Sequence, residues 1–407
     1  MKVLLVNAYA RSGGASVAAR RLCAALGGAG VHVRLLVQNA EECGDAALLR
    51  TGDRWAARRL SLDALPVLPH RNRRSPHWGN AWLGNGATRR AILDFAPEVT
   101  HLHWINHGML SLRDVARLTG PVVWTLHDSW VFTGGCHSPQ ECAKFRERCG
   151  GCPELNSRRE NDLSRWNWNR KRMAWNEAAF TVVTPSRWLA EIARSSSLLA
   201  GRRIETIPNA VDTSIFHPAD RAAARAALGL PQGAPLFLFG AHGAATDWNK
   251  GMDLWRAALP AVAKVCPGAV AAVAGASAGI TGAMPLPIHE LGVLPPEKLA
   301  LAMAAADVVV VPSRMENLPN MVAESLACGT PVAAFSVGGI PEMIRPGETG
   351  FLARPHDPED LARGICGLLA RGGAMREACA ASARETYAPE TVARRHLDLY
   401  RSLLEPT

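Results

Sequence analysis

Short apolar runs, rich in Val and Leu and bounded by polar residues or by Gly and Pro, alternate with helical patterns along most of the chain. Residues 3–6, 31–37, 99–102, 122–126 and 181–183 read as buried strands. Between the first two, Ala18, Leu22, Ala25 and Leu26 recur at the spacing of one helix face. Such an alternation leaves few options. Parallel strands need crossover connections, and the crossover helices then cover both faces of the sheet. The rhythm restarts after residues 204–209, with 236–239, 269–274, 308–311 and 332–335 as a second strand set. The expectation is an α/β protein of two doubly wound, Rossmann-like domains, residues 1–204 and 205–385. A last helix over 386–407 carries Val392, Leu399, Tyr400, Leu403 and Leu404 on one face. Insertions at about 63–90 and 134–175 break the rhythm of the first domain, and such insertions commonly carry function.

The 407 residues, 48% hydrophobic and 20% charged, suit two or three globular domains and exclude wholesale disorder or a fibrous repeat. No apolar run reaches the ~20 residues that span a bilayer. The first apolar stretch is too short for a secretory signal and reads as a strand. These features place the protein in the cytoplasm, where its ten cysteines stay reduced. The net charge of +9 is unevenly shared. Residues 1–203 hold 29 Lys and Arg against 16 Asp and Glu, a balance of +13, and residues 204–407 carry −4. The basic half implies an anionic partner: a phosphate-bearing substrate, an acidic membrane leaflet or nucleic acid. No recognition motif supports nucleic acid. Charge that serves only solubility is the alternative.

The densest chemistry lies in residues 307–342. A buried strand delivers the chain to a loop, and a helix opens near Pro319, a residue favoured at a helix start. The free N–H groups and positive dipole end of that helix form an anion site. Glu316 lies in the loop and Glu324 eight residues later. Carboxylates at both ends of a phosphate-binding helix start suit a nucleotide-sugar: one accepts from sugar hydroxyls, the other from ribose hydroxyls. There is no Asp-x-Asp to hold a metal against a diphosphate.

These residues resemble a known family. Glu316-x7-Glu324, then Ala327-Cys328-Gly329-Thr330-Pro331-Val332 and Gly338-Gly339-x-x-Glu342, is similar to the donor-site signature of the retaining family 4 glycosyltransferases, which have the GT-B fold. Gly13-Gly14-Ala15, Thr125-Leu126-His127-Asp128, Thr184-Pro185-Ser186, Ile207-Pro208-Asn209-Ala210-Val211-Asp212 and Lys250-Gly251 match further motifs in the family's order. The stretch 124–153 looks like a subgroup that makes bacterial surface polysaccharides. The resemblance implies two domains facing a cleft, with the last helix crossing back to the first. It implies sugar transfer from a UDP- or GDP-sugar to a saccharide acceptor, without a catalytic metal. In this reading Glu316 holds the sugar hydroxyls, Glu324 the ribose and Lys250 the diphosphate. Asn317, Leu318, Pro319 and Asn320 offer amides to sugar and phosphate. His127 positions the sugar or supplies charge near the anomeric centre, and Gly13 and Gly14 let the backbone approach substrate. One departure stands out. The family's Arg about five residues before Lys-Gly is absent from 240–250, which leaves His242 or backbone amides in its place. A nucleotide-sugar 2-epimerase or hydrolase of the same fold, or a non-catalytic nucleotide-sugar-binding protein, is the rival reading.

Three further features carry expectations. Cys136-x5-Cys142-x6-Cys149-x2-Cys152 offers four thiolates to one structural zinc, with two disulfides or four free thiols as alternatives. His101 and His103 alternate on a strand and read as structural. In the Trp- and Arg-rich run 165–175 the tryptophans are expected to pack while the cations face water. The loop with Arg71, Arg73, Arg74, Trp78 and Trp82 is the better candidate to meet an anionic membrane or a polyprenyl-diphosphate-linked acceptor, which would make attachment peripheral, at the inner face of the cell membrane.

Overall fold

The computed structural model describes residues 1–39, 47–51, 55–70, 78–240, 247–275 and 284–405. The basic run at Arg71, Arg73 and Arg74, Cys43 and the segment with His242 lie outside them. The chain divides into two compact units: Met1–Ala210 with Val392–Thr407, and Val211–Thr391.

The first unit holds seven parallel strands: β1 (Lys2–Tyr9), β2 (His32–Asn39), β3 (Leu48–Arg50), β4 (Val99–Leu102), β5 (Val122–Thr125), β6 (Thr181–Thr184) and β7 (Ile204–Thr206). Their spatial order is β3-β2-β1-β4-β5-β6-β7. The second unit has six parallel strands: β8 (Leu236–Gly240), β9 (Val270–Ala274), β10 (Ile288–Gly292), β11 (Val308–Val311), β12 (Val332–Phe335) and β13 (Gly350–Ala353). Here the order is β10-β9-β8-β11-β12-β13. Both sheets therefore wind outward in two directions from an inner strand pair, β1/β4 and β8/β11.

Every strand read from an apolar run is present. The four that were not read, β3, β7, β10 and β13, are the outer strands of the two sheets. They are short or half-buried, as edges are. Strand β7 also moves the first boundary. Residues 204–206 complete the first sheet, so the units divide after Ala210 instead of after 204.

Packing follows the pattern. On the helix Gly14–Gly28, Ala18, Ala19, Leu22, Cys23, Ala25 and Leu26 are buried. In the second unit Phe239 of β8 stacks on Trp255 at 4.8 Å, and its neighbour strand β11 is all valine and buried. The last helix, Pro389–Leu404, buries Val392, Leu399 and Tyr400, but Leu404 is exposed and His396 is buried.

The insertions depart further from expectation. In the helix Leu163–Glu177, Trp168 and Trp175 are buried, yet so are Arg165 and Lys171, and Trp166 is exposed. Lys171 goes inward because carbonyls receive it: its ammonium donates to Trp130 O and Thr133 O, and lies 3.8 Å from the Trp130 ring centre. Trp78 is not free to enter a membrane. It bridges to Cys136 and packs against Gly135. Trp82 is half-buried, edge-on to Trp166 at 5.1 Å. The buried Asp63 carboxylate accepts the N–H groups of Asn80, Ala81 and Trp82, which pins this segment to the unit.

Candidate active site

In open α/β sheets the ligand crevice lies at the strands' carboxyl ends, where the order reverses. In the second unit that point is the β8/β11 pair. Lys250 follows β8, Glu316 follows β11, and Lys250 Nζ donates to Glu316 Oε1 at 2.7 Å. The approach depends on backbone. Gly251 has φ +67°, and a Cβ there would meet Pro312 O at 1.9 Å. Only glycine lets this turn close against the end of β11. The turn is then stitched to the Glu316 loop: Arg314 N donates to Asn249 O at 2.8 Å, and Asn249 Nδ2 to Met315 O at 2.7 Å. Gly338, with φ +57°, does the same from the far side, where a Cβ would meet Glu316 O at 1.8 Å. Gly339 N donates to that oxygen at 3.0 Å.

Asn317 and Leu318 continue the loop, Pro319 is the N-cap, and the helix runs Asn320–Ala327 with Glu324 buried on its second turn. Its first N–H groups have no side-chain cap. The Glu316 carboxylate, against the opposing effect of burial, raises Lys250 above its ordinary pKa, so the ammonium stays charged. One of its three N–H groups is spent on Glu316, and an ammonium has two more for an anion. Arg314, which the sequence reading overlooked, pairs with Asp253 at 2.5 Å and lies over Trp248 at 4.3 Å. It braces the Lys250 turn. The only signal for it was its place two residues before Glu316.

The first unit carries Gly13, Gly14 and His127. Gly13 (φ +84°) precedes the helix Gly14–Gly28, with open space where a Cβ would be. His127 follows β5 and belongs to a stacked imidazole array. His101 and His103 lie 4.6 Å apart, His103 and His127 5.2 Å, and His101 and His396 5.5 Å. His103 Nδ1 and His127 Nε2 share a hydrogen bond of 2.9 Å. His101 is held by the Tyr400 hydroxyl at 2.6 Å and by Thr125 Oγ1 at 2.7 Å. Burial pushes His101 and His103 well below the ordinary imidazole range and His127 and His396 down to about 4. The array is neutral at pH 7. His103 therefore contacts a candidate site residue, a role its alternation with His101 beside β5 hinted at. Next to His127, Asp128 accepts from Trp130 N at 2.8 Å and Trp104 Nε1 at 3.2 Å, and lies 2.6 Å from His137 Nδ1. Burial would raise its pKa, but His137 and the Trp130 N–H hold it below the usual carboxylate range.

Cys136, Cys142, Cys149 and Cys152 are free thiols lining one cavity. Burial raises Cys149 to about 12 and Cys152 to about 11. Among the described residues, no group of three His, Cys, Asp or Glu side chains is arranged to hold a metal.

Two family models match the chain. Glycosyltransferase Family 4 matches residues 12–215, and Glycosyl transferases group 1 matches residues 237–371. A D-inositol 3-phosphate glycosyltransferase of Mycobacterium avium (strain 104) is 39% identical over 198 residues, covering 44% of this chain and 45% of that protein. The match thus spans under half the length of that curated relative. Sucrose-phosphate synthase from Thermosynechococcus elongatus has a similar structure, at a TM-score of 0.71, 20% identity and 98% of both chains. So has Anabaena Alr3699/HepE in complex with UDP-glucose, at 0.64 and 16% identity over 99% of this chain and all of that one. With one family model covering half of its length, a second matching the remaining sheet, and both sheets matched in solved structures, the chain belongs to glycosyltransferase family 4 and has the GT-B fold.

Proposed function

We propose that the protein is a retaining, metal-independent glycosyltransferase that moves a sugar from a nucleotide-diphosphate sugar to a hydroxyl of an anionic saccharide acceptor. The observation that carries this reading is the Lys250–Glu316 pair beside an uncapped helix start at the β8/β11 switch point. The ammonium and the helix amides supply fixed positive charge for a diphosphate, where other transferases use a metal. The second Glu316 oxygen accepts from a sugar hydroxyl, and Glu324 from the ribose. The acceptor oxygen bonds to the anomeric carbon on the face from which the diphosphate leaves. The carbon–oxygen bond to the diphosphate breaks, and the departing phosphate oxygen takes the acceptor proton. Neutral His127 positions the sugar and adds no charge of its own.

UDP is the favoured base, by likeness to the Anabaena protein in complex with UDP-glucose. The acceptor reading rests on charge. The first unit carries 32 Lys and Arg against 19 Asp and Glu. A phosphorylated polyol suits the name of the Mycobacterium relative, and a polyprenyl-diphosphate-linked saccharide of cell-surface synthesis suits a membrane-facing enzyme. Exposed Trp55, Leu62, Leu65 and Leu68, with Arg58 over the Trp55 ring at 4.2 Å, support peripheral contact with an anionic leaflet. Among the described residues no helix is long and apolar enough to cross a membrane.

The test is a thermal-shift screen of UDP- and GDP-sugars, followed by transfer assays. A true donor at a hundredfold excess over its Kd stabilises by about 2.7 kcal/mol. Product should form with either acceptor class and keep the donor's anomeric configuration. An inverted product, or conversion of the donor without acceptor, overturns the reading.

A further inference from the structure

We propose that the segment between β5 and the helix Leu163–Glu177 is a structural zinc site, with Cys136, Cys142, Cys149 and Cys152 as its four ligands. These residues are spread over 17 positions of sequence, yet all four line a single cavity of about 20 Å³. That volume holds one water-sized body, and a zinc ion fits it. The surroundings are built for thiolate sulfur. Gly134 N–H donates to Cys149 Sγ at 3.1 Å, and the N–H groups of Glu154 and Leu155 are directed at Cys152 Sγ. Lys144 Nζ ties the turn between Cys149 and Cys152 by donating to Gly150 O and Gly151 O, each at 2.9 Å.

The charge around the cavity is the second, independent observation. Zinc with four thiolates carries two negative charges. Lys171, fully buried, lies on the Cys136 and Cys149 side, and its hydrogen bonds go only to carbonyls. Among the described residues no carboxylate pairs with it at ion-pair distance. Burial disfavours the Lys171 ammonium, and a zinc–thiolate centre beside it would offer counter-charge. In the metal-free arrangement the thiols are not gathered on one point. Binding draws them inward: four S–H protons leave to solvent as four S–Zn bonds form. The site is closed and takes no part in sugar transfer. It holds together the insertion at about 134–175, a few residues beyond His127 and Asp128.

The test uses the full chain expressed with added zinc. Elemental analysis should find about one zinc per chain after gel filtration. Cobalt substituted for it should give the intense visible absorption of a tetrahedral thiolate centre. The double variant Cys149→Ser/Cys152→Ser should lose the metal and melt at a lower temperature. If that variant does not fold, the wild-type metal content and cobalt spectrum decide alone. Metal-free wild-type protein whose four thiols react freely with a thiol reagent overturns the proposal. So does an intact mass showing disulfides, or equal zinc in a folded double variant.

Discussion

The two units present functional groups at equivalent places, the carboxyl ends of strands beside a reversal of strand order, but hold them by opposite physics. In the second unit Lys250 and Glu316 form an ion pair, mostly buried, and neutralise each other across 2.7 Å. In the first, His127 is one of four neighbouring imidazoles kept neutral by burial; it shares a hydrogen bond with His103, while His101 is held by Thr125 and Tyr400. A charged pair can stabilise a diphosphate leaving group directly. A neutral array can fix only position and proton direction. The two halves should therefore fail in different ways.

The largest effect is expected at the charged pair. Lys250→Ala and Glu316→Gln each remove one preorganised electrostatic contact and should lower kcat by ~10²–10³ with little change in Tm. Wild-type turnover in a folded variant would put the donor site elsewhere and dissolve the contrast. Gly251→Ala attacks the same pair through its backbone. The left-handed turn and the contact with Pro312 O should cost about 1–3 kcal/mol, read as a lower Tm together with weaker nucleotide binding. A variant that binds nucleotide normally would show that the turn does not set Lys250.

For the neutral array, His103→Phe removes the partner of His127 Nε2. A net hydrogen bond is worth ~0.5–1.5 kcal/mol, so kcat should fall up to about tenfold with KM for donor little changed. A fall in KM-controlled binding alone would mark His103 as merely structural.

The pH dependence separates the units further. Imidazoles whose folded pKa lies below 6.5 refuse protons that the unfolded chain accepts. Stability is thus unaffected above pH 6.5 and lost as pH falls from there towards about 4. Lys250 behaves inversely: its raised pKa stabilises fully below about 10.5 and the gain is lost as pH rises through the raised value. Urea titrations across pH 4–8 read the first limb, and a flat profile would contradict the buried neutral array.

The smallest expected effect is that of EDTA. A brief exposure should leave the initial rate unchanged if, as proposed, the charge on the leaving group is met by Lys250 and helix amides. Immediate loss restored by Mg²⁺ would replace that assignment.

Much of this was legible in the residues. Strands such as β11, Val-Val-Val-Val, are buried on both faces, and an unbroken apolar run reports that condition directly. The helix start at Pro319 between Glu316 and Glu324 was legible too, because all three lie within one short stretch. The outer strands were not legible. With one flank unpaired and partial exposure, β10 mixes His and Glu into its run, and β7 carries a Glu.

What tertiary structure alone decided is set by contacts between residues far apart in sequence. Lys250 meets Glu316 across 66 positions, and His101 meets Tyr400 across 299. No local pattern announces that Lys171 turns inward to two carbonyls, or that Gly251 must pass within reach of Pro312. Periodicity states which face of an element is apolar. It does not state which polar group on another element will satisfy a buried one, because that depends on where the folded chain brings the second group.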